Sequence, residues 1–265
     1  MTIPTAIPDV SISLISTNER YHLEKLFPSL LPAARQANAE ILVVDHRSTD
    51  GTSDYLRSNY PQMKVVQNRV KSSYGENHNI NLRYANGRYF VISNTDIMIN
   101  SPDLFVRLRD YMDQHPDVGI VSPKITNEDM TIQGLNKRYP TILDLFLRRF
   151  LPKFLAGAFQ KRLDYYEMRD VGYDHDYDVP SLSGSFLFCR TDLLRSIKGF
   201  DPRYYMYFDD TDLCRRVQQT HRTAYYHQVS ITHFWRRLAH KNLYHTFLFI
   251  KMAFRYFNRW GYKLL

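Results

Sequence analysis

The chain is poor in cysteine: among 265 residues it has only Cys189 and Cys214. Two thiols are too few for a disulfide framework or a cysteine-rich zinc site, and they fit a reduced, cytoplasmic setting. No run of about 18 apolar residues occurs, so no simple membrane-spanning helix is expected. The opening MTIPTAIPDV has neither a basic start nor a long apolar stretch, so it does not read as a secretory leader. GxGxxG after the first strand, GxxxxGK[ST] and GxSxG are all missing. Their absence argues against dinucleotide enzymes, P-loop enzymes and nucleophile-elbow hydrolases. There is no internal repeat and no low-complexity tract.

What is present is a foldable composition with a basic bias. Apolar residues are 44% and charged residues 23%, with a formal charge of +8. That excess points to an anionic partner without choosing among nucleic acid, a phosphorylated substrate and an acidic membrane face. The 16 Phe and 20 Tyr would suit base stacking, but no nucleic-acid motif accompanies them. The acidic cluster described below would also repel phosphate, so no nucleic-acid partner is expected.

The first 125 or so residues alternate strand and helix. Val10–Thr17, Glu40–Asp45, Met63–Gln67, Arg88–Ser93 and Val118–Ser122 read as strands. Tyr21–Ala39 reads as a helix broken or bent by Pro28 and Pro32. Thr52–Asn59, Ile80–Ala85 and Leu104–Gln114 read as further helices. The rhythm implies an α/β fold with a mostly parallel sheet flanked by helices, whose ligands bind beyond the carboxyl ends of the strands. Thr17, Asn18, Asp45, Asn94 and Asp96 all fall at such ends.

Asp96, just after a buried strand, is placed to ligate Mg²⁺ or Mn²⁺, which favour oxygen ligands shared with substrate phosphates. Asp45 offers an acceptor to a nucleobase or ribose, or caps the next helix. Asp209, Asp210 and Asp212 form the densest acidic cluster, either a general base for an attacking hydroxyl or a charged helix start. His233 is a further metal or phosphate ligand, or a structural histidine.

The ordered set VSISLISTN, EILVVDHRSTDGT, NTD after a strand, SLSGSFLFCR and GFDPRYYMYFDDTDLCRR, followed by a histidine, resembles the family 2 glycosyltransferases over roughly residues 9–240. Within that family it looks most like rhamnosyltransferases of bacterial surface polysaccharide synthesis. The resemblance implies a GT-A fold, an inverting single displacement and a divalent cation, Mg²⁺ or Mn²⁺. It implies a nucleotide-diphosphate sugar as donor, with dTDP-L-rhamnose favoured over a UDP-hexose, and a polyprenyl-diphosphate-linked glycan as acceptor. Carried over by position, Asp210 is the base and Asp209 its acidic neighbour. Asp96 and His233 hold metal or diphosphate, and Asp45 meets the base of the nucleotide. Thr17, Asn18, Asn79 and Asn94 fall on the donor side, and Gly184 and Ser185 on the acceptor side. A catalytically inactive binding relative is the other outcome considered.

The expected organisation is a catalytic unit over residues 1–240 and a basic, aromatic helix over 241–265. Together with 143–163, that tail has the mix of Phe, Leu, Tyr, Lys and Arg found in helices lying on an anionic bilayer. The alternatives for these faces are a peripheral contact with the inner membrane surface, packing on the domain itself and a homodimer contact.

Overall fold

The structure is a computed structural model that describes residues 7–151, 156–234 and 243–265. The expected boundary between residues 240 and 241, and residues 152–155 of the 143–163 segment, lie outside these.

Among the described residues, the strands form one sheet in the order β3-β2-β1-β4-β8-β6-β9-β5. These are β1 (Val10–Ser16), β2 (Ala39–His46), β3 (Lys64–Asn68), β4 (Tyr89–Ser93), β5 (Ile97–Ile99), β6 (Val118–Thr126), β8 (Phe186–Arg190) and β9 (Arg222–His233). A two-residue β7 (Tyr177–Asp178) pairs with β9 off that path. β3, β2, β1 and β4 run parallel. β8 enters antiparallel to both β4 and β6, and β9 is parallel to β6. The chain builds outward from β1 through β2 to β3, then returns to lay β4 on the opposite side of β1. Such a reversal opens a crevice at the carboxyl ends of the two strands.

Alternation along the strands explains why both faces are covered. Tyr89 and Val91 of β4 join the apolar cluster of α1 (Arg20–Gln36), α2 (Thr52–Asn59) and α4 (Leu104–Gln114). Phe90 and Ile92 join the one built with α3 (Tyr74–Tyr84), α7 (Thr191–Ser196) and α8 (Asp209–Val217). Successive side chains point to opposite sides of a strand, so a run such as YFVIS serves both layers.

α1 is continuous through Pro28 and Pro32 rather than broken. Burial of Leu23, Leu26, Phe27, Leu30, Ala33 and Ala34 holds it in place despite two missing amide donors. α3 begins six residues earlier than its apolar pattern indicated. Ser73 accepts from the Glu76 amide at 3.1 Å while Glu76 accepts from the Ser73 amide at 2.8 Å, a reciprocal cap. Residues 74–79 are therefore helical as well. Gly75 is required there because a Cβ would meet the Phe200 side chain at 2.6 Å. The 143–163 segment contributes two helices, α5 (Ile142–Phe150) and α6 (Ala156–Tyr166). α9 (Leu243–Trp260) packs through Leu248, Met252, Tyr256 and Phe257 on Leu145, Tyr204 and Phe208.

His78 of α3 is a buried cost in this architecture. The Ser13 hydroxyl lies 2.6 Å from Nδ1, and Nε2 has no hydrogen-bond partner. Burial pushes its pKa from the ordinary 6.5 down to about 3. The unfolded chain therefore binds that proton more tightly, so the contribution is whole above pH about 6.5 and shrinks as pH falls toward 3. Urea unfolding at pH 5 is expected to show about 2 kcal/mol less stability than at pH 7 from this group. A His78→Gln variant with the same pH dependence would assign the loss elsewhere.

Candidate active site

The crevice between β1 and β4 widens into a cleft of about 1060 Å³. Thr17, Asn94, Asp96, Gly184, Ser185, Asp209, Asp210 and His233 line it. These eight residues come from five separate stretches of chain, brought together by strand ends and the start of α8.

At one end, Asp96 follows β4, and the pairing of Ile97 with His233 sets β9's last residue beside it. The His233 Nε2 atom lies 3.4 Å from Asp96 Oδ1. The Gln133 amide nitrogen donates to the His233 carbonyl at 2.6 Å, so its oxygen faces Nδ1 at 3.0 Å. Nδ1 then carries the ring proton, and Nε2 is left as an acceptor facing a carboxylate. Nε2 also takes the Asn94 amide nitrogen at 3.3 Å, while the Asn94 oxygen accepts from Tyr74 at 3.0 Å.

Glu19 joins this end and accepts from the Thr95 hydroxyl at 2.6 Å. Burial raises its pKa, and the charges of Asp96 and Asp50 add to that against the Thr95 bond. Burial also pushes Asp96 up, but when His233 is protonated its Nε2–H bond and charge more than offset burial and hold Asp96 below its usual value.

The Asp96 carboxylate beside the His233 lone pair, with the Glu19 charge nearby, makes this end attractive to a cation. Among the described residues no three His, Cys, Asp or Glu side chains converge closely enough to hold an ion unaided. The donor set fits Mg²⁺ or Mn²⁺ that completes its shell with diphosphate oxygens, the usual arrangement for these hard cations. The Gln133 bond that fixes the His233 tautomer is the outer support such a ligand needs.

At the other end, α8 opens with Asp209 and Asp210. The Asp210 carboxylate accepts from the Gly184 amide at 3.1 Å and the Thr211 amide at 2.7 Å. That bond ties it to the turn before β8, where Ser183 and Ser185 hydroxyls lie 3.1 Å apart. Asp209 is pushed up to about 7 by burial and by the adjacent Asp210 charge. Asp212, the third acid of the cluster, turns away from the cleft. It is fully buried and meets Arg216 at 2.8 Å, the Trp260 indole at 2.9 Å and Arg259 at 3.2 Å. Tyr74 joins the two ends by donating its hydroxyl proton to the Asn94 side chain or to the Gly184 carbonyl, 2.9 Å away.

Three residues assigned to the donor side lie off the cleft wall. The Asp45 carboxylate is buried and accepts from the Ser48 amide at 3.2 Å and from the Ser53 hydroxyl. Asn18, in a left-handed conformation with φ 56°, accepts from the Thr49 amide at 2.7 Å. Asn79 bonds both polar atoms of the Phe200 backbone at 2.8 Å, so it anchors the segment leading to Asp209. Conversely, Glu19, Tyr74, Gln133 and Lys137 line the cleft without having been picked out as site residues. Of these, only Glu19, next to Asn18, had a neighbour in sequence that gave a signal.

Residues 8–262 match the family described as Glycosyltransferase like family 2. The chain belongs to that family. Among curated relatives of this family 2 chain is the N-acetylglucosaminyl-diphospho-decaprenol L-rhamnosyltransferase of Mycobacterium tuberculosis. It is 26% identical over 213 residues, covering 74% of this chain and 66% of that protein. The chain thus spans slightly less than two thirds of that relative's length. Rhamnosyltransferase WbbL of Escherichia coli K12 is 22% identical over 262 residues, covering 94% of this chain and 93% of its own. Among solved structures, the Pyrobaculum calidifontis mannosyltransferase PcManGT, in complex with GDP-Man and Mn²⁺, superposes with a TM-score of 0.62. At 20% identity, over 95% of this chain and 66% of that one, this likeness establishes the shared fold.

Proposed function

We propose that the protein is an inverting, divalent-cation-dependent glycosyltransferase that moves L-rhamnose from dTDP-L-rhamnose to a hydroxyl of a polyprenyl-diphosphate-linked glycan. The observation that carries this reading is the two-ended cleft. A cation-seeking end formed by Glu19, Asp96 and His233 faces a proton-accepting end formed by Asp209 and Asp210. Two relatives named as rhamnosyltransferases favour the sugar, and one of those names carries a diphospho-decaprenol acceptor.

In this reading Asp96 and His233 hold Mg²⁺ or Mn²⁺, which when bound neutralises the leaving diphosphate. Gly184 and Thr211 amides fix the Asp210 carboxylate, which takes the proton of the acceptor hydroxyl. The acceptor oxygen bonds to the anomeric carbon as the bond from that carbon to the diphosphate breaks, inverting its configuration. Asp209, poised near neutrality, raises the basicity of the pair by its charge. The Tyr74 hydroxyl keeps Asn94 and the Gly184 turn in register across the cleft.

Work at the inner membrane surface follows from such an acceptor. Among the described residues no helix is long and apolar enough to cross a membrane. Phe146 and Phe150 of α5 and Phe247, Ile250 and Phe254 of α9 are exposed, a face suited to lying on lipid.

A thermal-shift comparison of dTDP, UDP, GDP and ADP, each with and without Mn²⁺, tests the donor half. The dTDP–Mn²⁺ pair is expected to give the largest stabilisation, about 2.7 kcal/mol at a hundredfold excess over Kd. A larger shift with UDP would replace the donor by a UDP-hexose. No shift with any nucleotide would overturn the reading.

A further inference from the structure

We propose that Lys137 and Arg148 form an anion subsite for the diphosphate of a lipid-linked acceptor, with the exposed aromatic face of α5 and α9 taking the start of its hydrocarbon chain. This rests on the glycosyl-transfer reading above and assigns the acceptor half of the same cleft.

Lys137 is held by backbone hydrogen bonds to Ser181 in both directions, at 3.0 and 2.9 Å, two residues before the Ser183–Ser185 turn. Its side chain lines the cleft. Among the described residues its ammonium has no carboxylate within 4.0 Å. A cation set into a protein wall without a counter-charge is costly unless a ligand supplies one.

The surroundings make an anion the missing partner. Burial and the neighbouring Arg148 charge together lower the Lys137 pKa to about 8, outweighing the charges of Asp210 and Glu167. Arg148 lies with Nε 3.7 Å from Glu167 and its guanidinium over the Tyr166 ring. Glu167 is already bonded to Arg169 at 3.0 Å, so one carboxylate faces two guanidinium groups. Arg149, on the same wall, donates to Thr246 at 2.6 Å and lies over the Phe249 ring. With Asp209 and Asp210 counted, this end of the cleft carries Lys137, Arg148, Arg149 and Arg169 against three carboxylates.

Position separates this anion from the donor's diphosphate. Lys137 pairs with Ser181, just before the turn whose Gly184 amide binds Asp210, whereas Asp96 is placed by the pairing of Ile97 with His233. Lys137 therefore belongs with the proposed base, not with the cation-seeking end. The helices that bring Arg148 and Phe249 to the cleft also carry Phe146, 56% exposed, and Phe247, 65% exposed. A charged pocket opening beside an apolar shelf suits a molecule with an anionic head and a hydrocarbon tail.

Calorimetric binding of geranyl diphosphate, inorganic pyrophosphate and geraniol to the full chain tests this without requiring turnover. Geranyl diphosphate is expected to bind more tightly than either fragment. Lys137→Met should weaken it at least about tenfold, the loss of one charge-assisted hydrogen bond, and Lys137→Arg should restore most of it. Nucleotide binding with Mn²⁺ should stay at the parent value in both variants. Lys137-dependent binding of geranyl diphosphate in a chain that transfers no sugar would support the subsite while removing the transferase reading. Geranyl diphosphate affinity unchanged in Lys137→Met, or nucleotide affinity falling in step with it, would overturn the subsite. Pyrophosphate binding as tightly as geranyl diphosphate would overturn its lipid half.

Discussion

Asp210→Asn is expected to lower sugar transfer by about 10²- to 10⁴-fold, the range for loss of a positioned general base, with donor affinity unchanged. The amide is nearly isosteric, and its oxygen can still accept from the Gly184 or Thr211 amide that now orients the carboxylate. What disappears is the basic oxygen. Measuring kcat with saturating donor beside nucleotide affinity separates the two effects. Unchanged turnover would remove Asp210 from the chemistry.

The neighbouring Asp209→Asn serves as a contrast. Because the folded pKa of Asp209 is raised from 3.8 to about 7, the native state holds a proton that the unfolded chain releases. The associated stabilisation is whole below pH about 4 and is lost as pH rises through 7. At pH 8 the native protein keeps two like charges side by side, so Asp209→Asn should stabilise it by about 2 kcal/mol. The same variant should flatten the rise of kcat/KM through neutral pH. Destabilisation by Asp209→Asn would show that its carboxylate is held by something other than repulsion and burial.

The second large effect is expected at Asp96. Asp96→Ala should abolish the Mn²⁺-dependent part of nucleotide binding, a loss of about 100-fold or more when a charged ligand to a bound cation is deleted. The residual affinity should equal that of the parent protein in chelator, because the nucleoside contacts remain. His233 would then stand unopposed, with Nε2 facing only the Asn94 amide. Gln133→Leu should give a milder version, since it frees the ring whose Nδ1 Gln133 now holds. Parent binding that ignores chelator would sink the cation role of Asp96.

The strand ends were the most legible part of the chain. Short apolar runs closed by a carboxylate, such as EILVVD, read directly as buried parallel strands, and Asp96 and His233 do meet at one place. The cluster DDTD was legible as acidic but not as divided. Its division follows from helical geometry: all three acids sit in the first turn, but Asp209 and Asp210 open on the cleft, whereas Asp212 finds Arg216 one turn on. Asp45 and Asn79 show the opposite limit. Both are polar residues at suggestive positions, yet Ser53, eight residues on, bonds Asp45, and the Phe200 backbone, 121 residues away, bonds Asn79. Gln133 and Lys137 lie in a stretch with no periodic pattern, and only tertiary pairing carries them to the site. Local pattern cannot report a role conferred by a partner about 100 residues away.

The burial of Asp212 has a consequence for how the molecule is made. Its partners Arg259 and Trp260 lie on α9, 47 and 48 residues further along the chain. During synthesis α8 can coil as soon as it emerges, yet half of the counter-charge for its buried acid has not been translated. The helix that presents Asp209 and Asp210 is therefore fully neutralised only after Trp260 leaves the ribosome. Assembly of the cleft is a late event, and a nascent chain arrested before α9 carries an acidic helix with an unmet charge where the finished protein has a settled one.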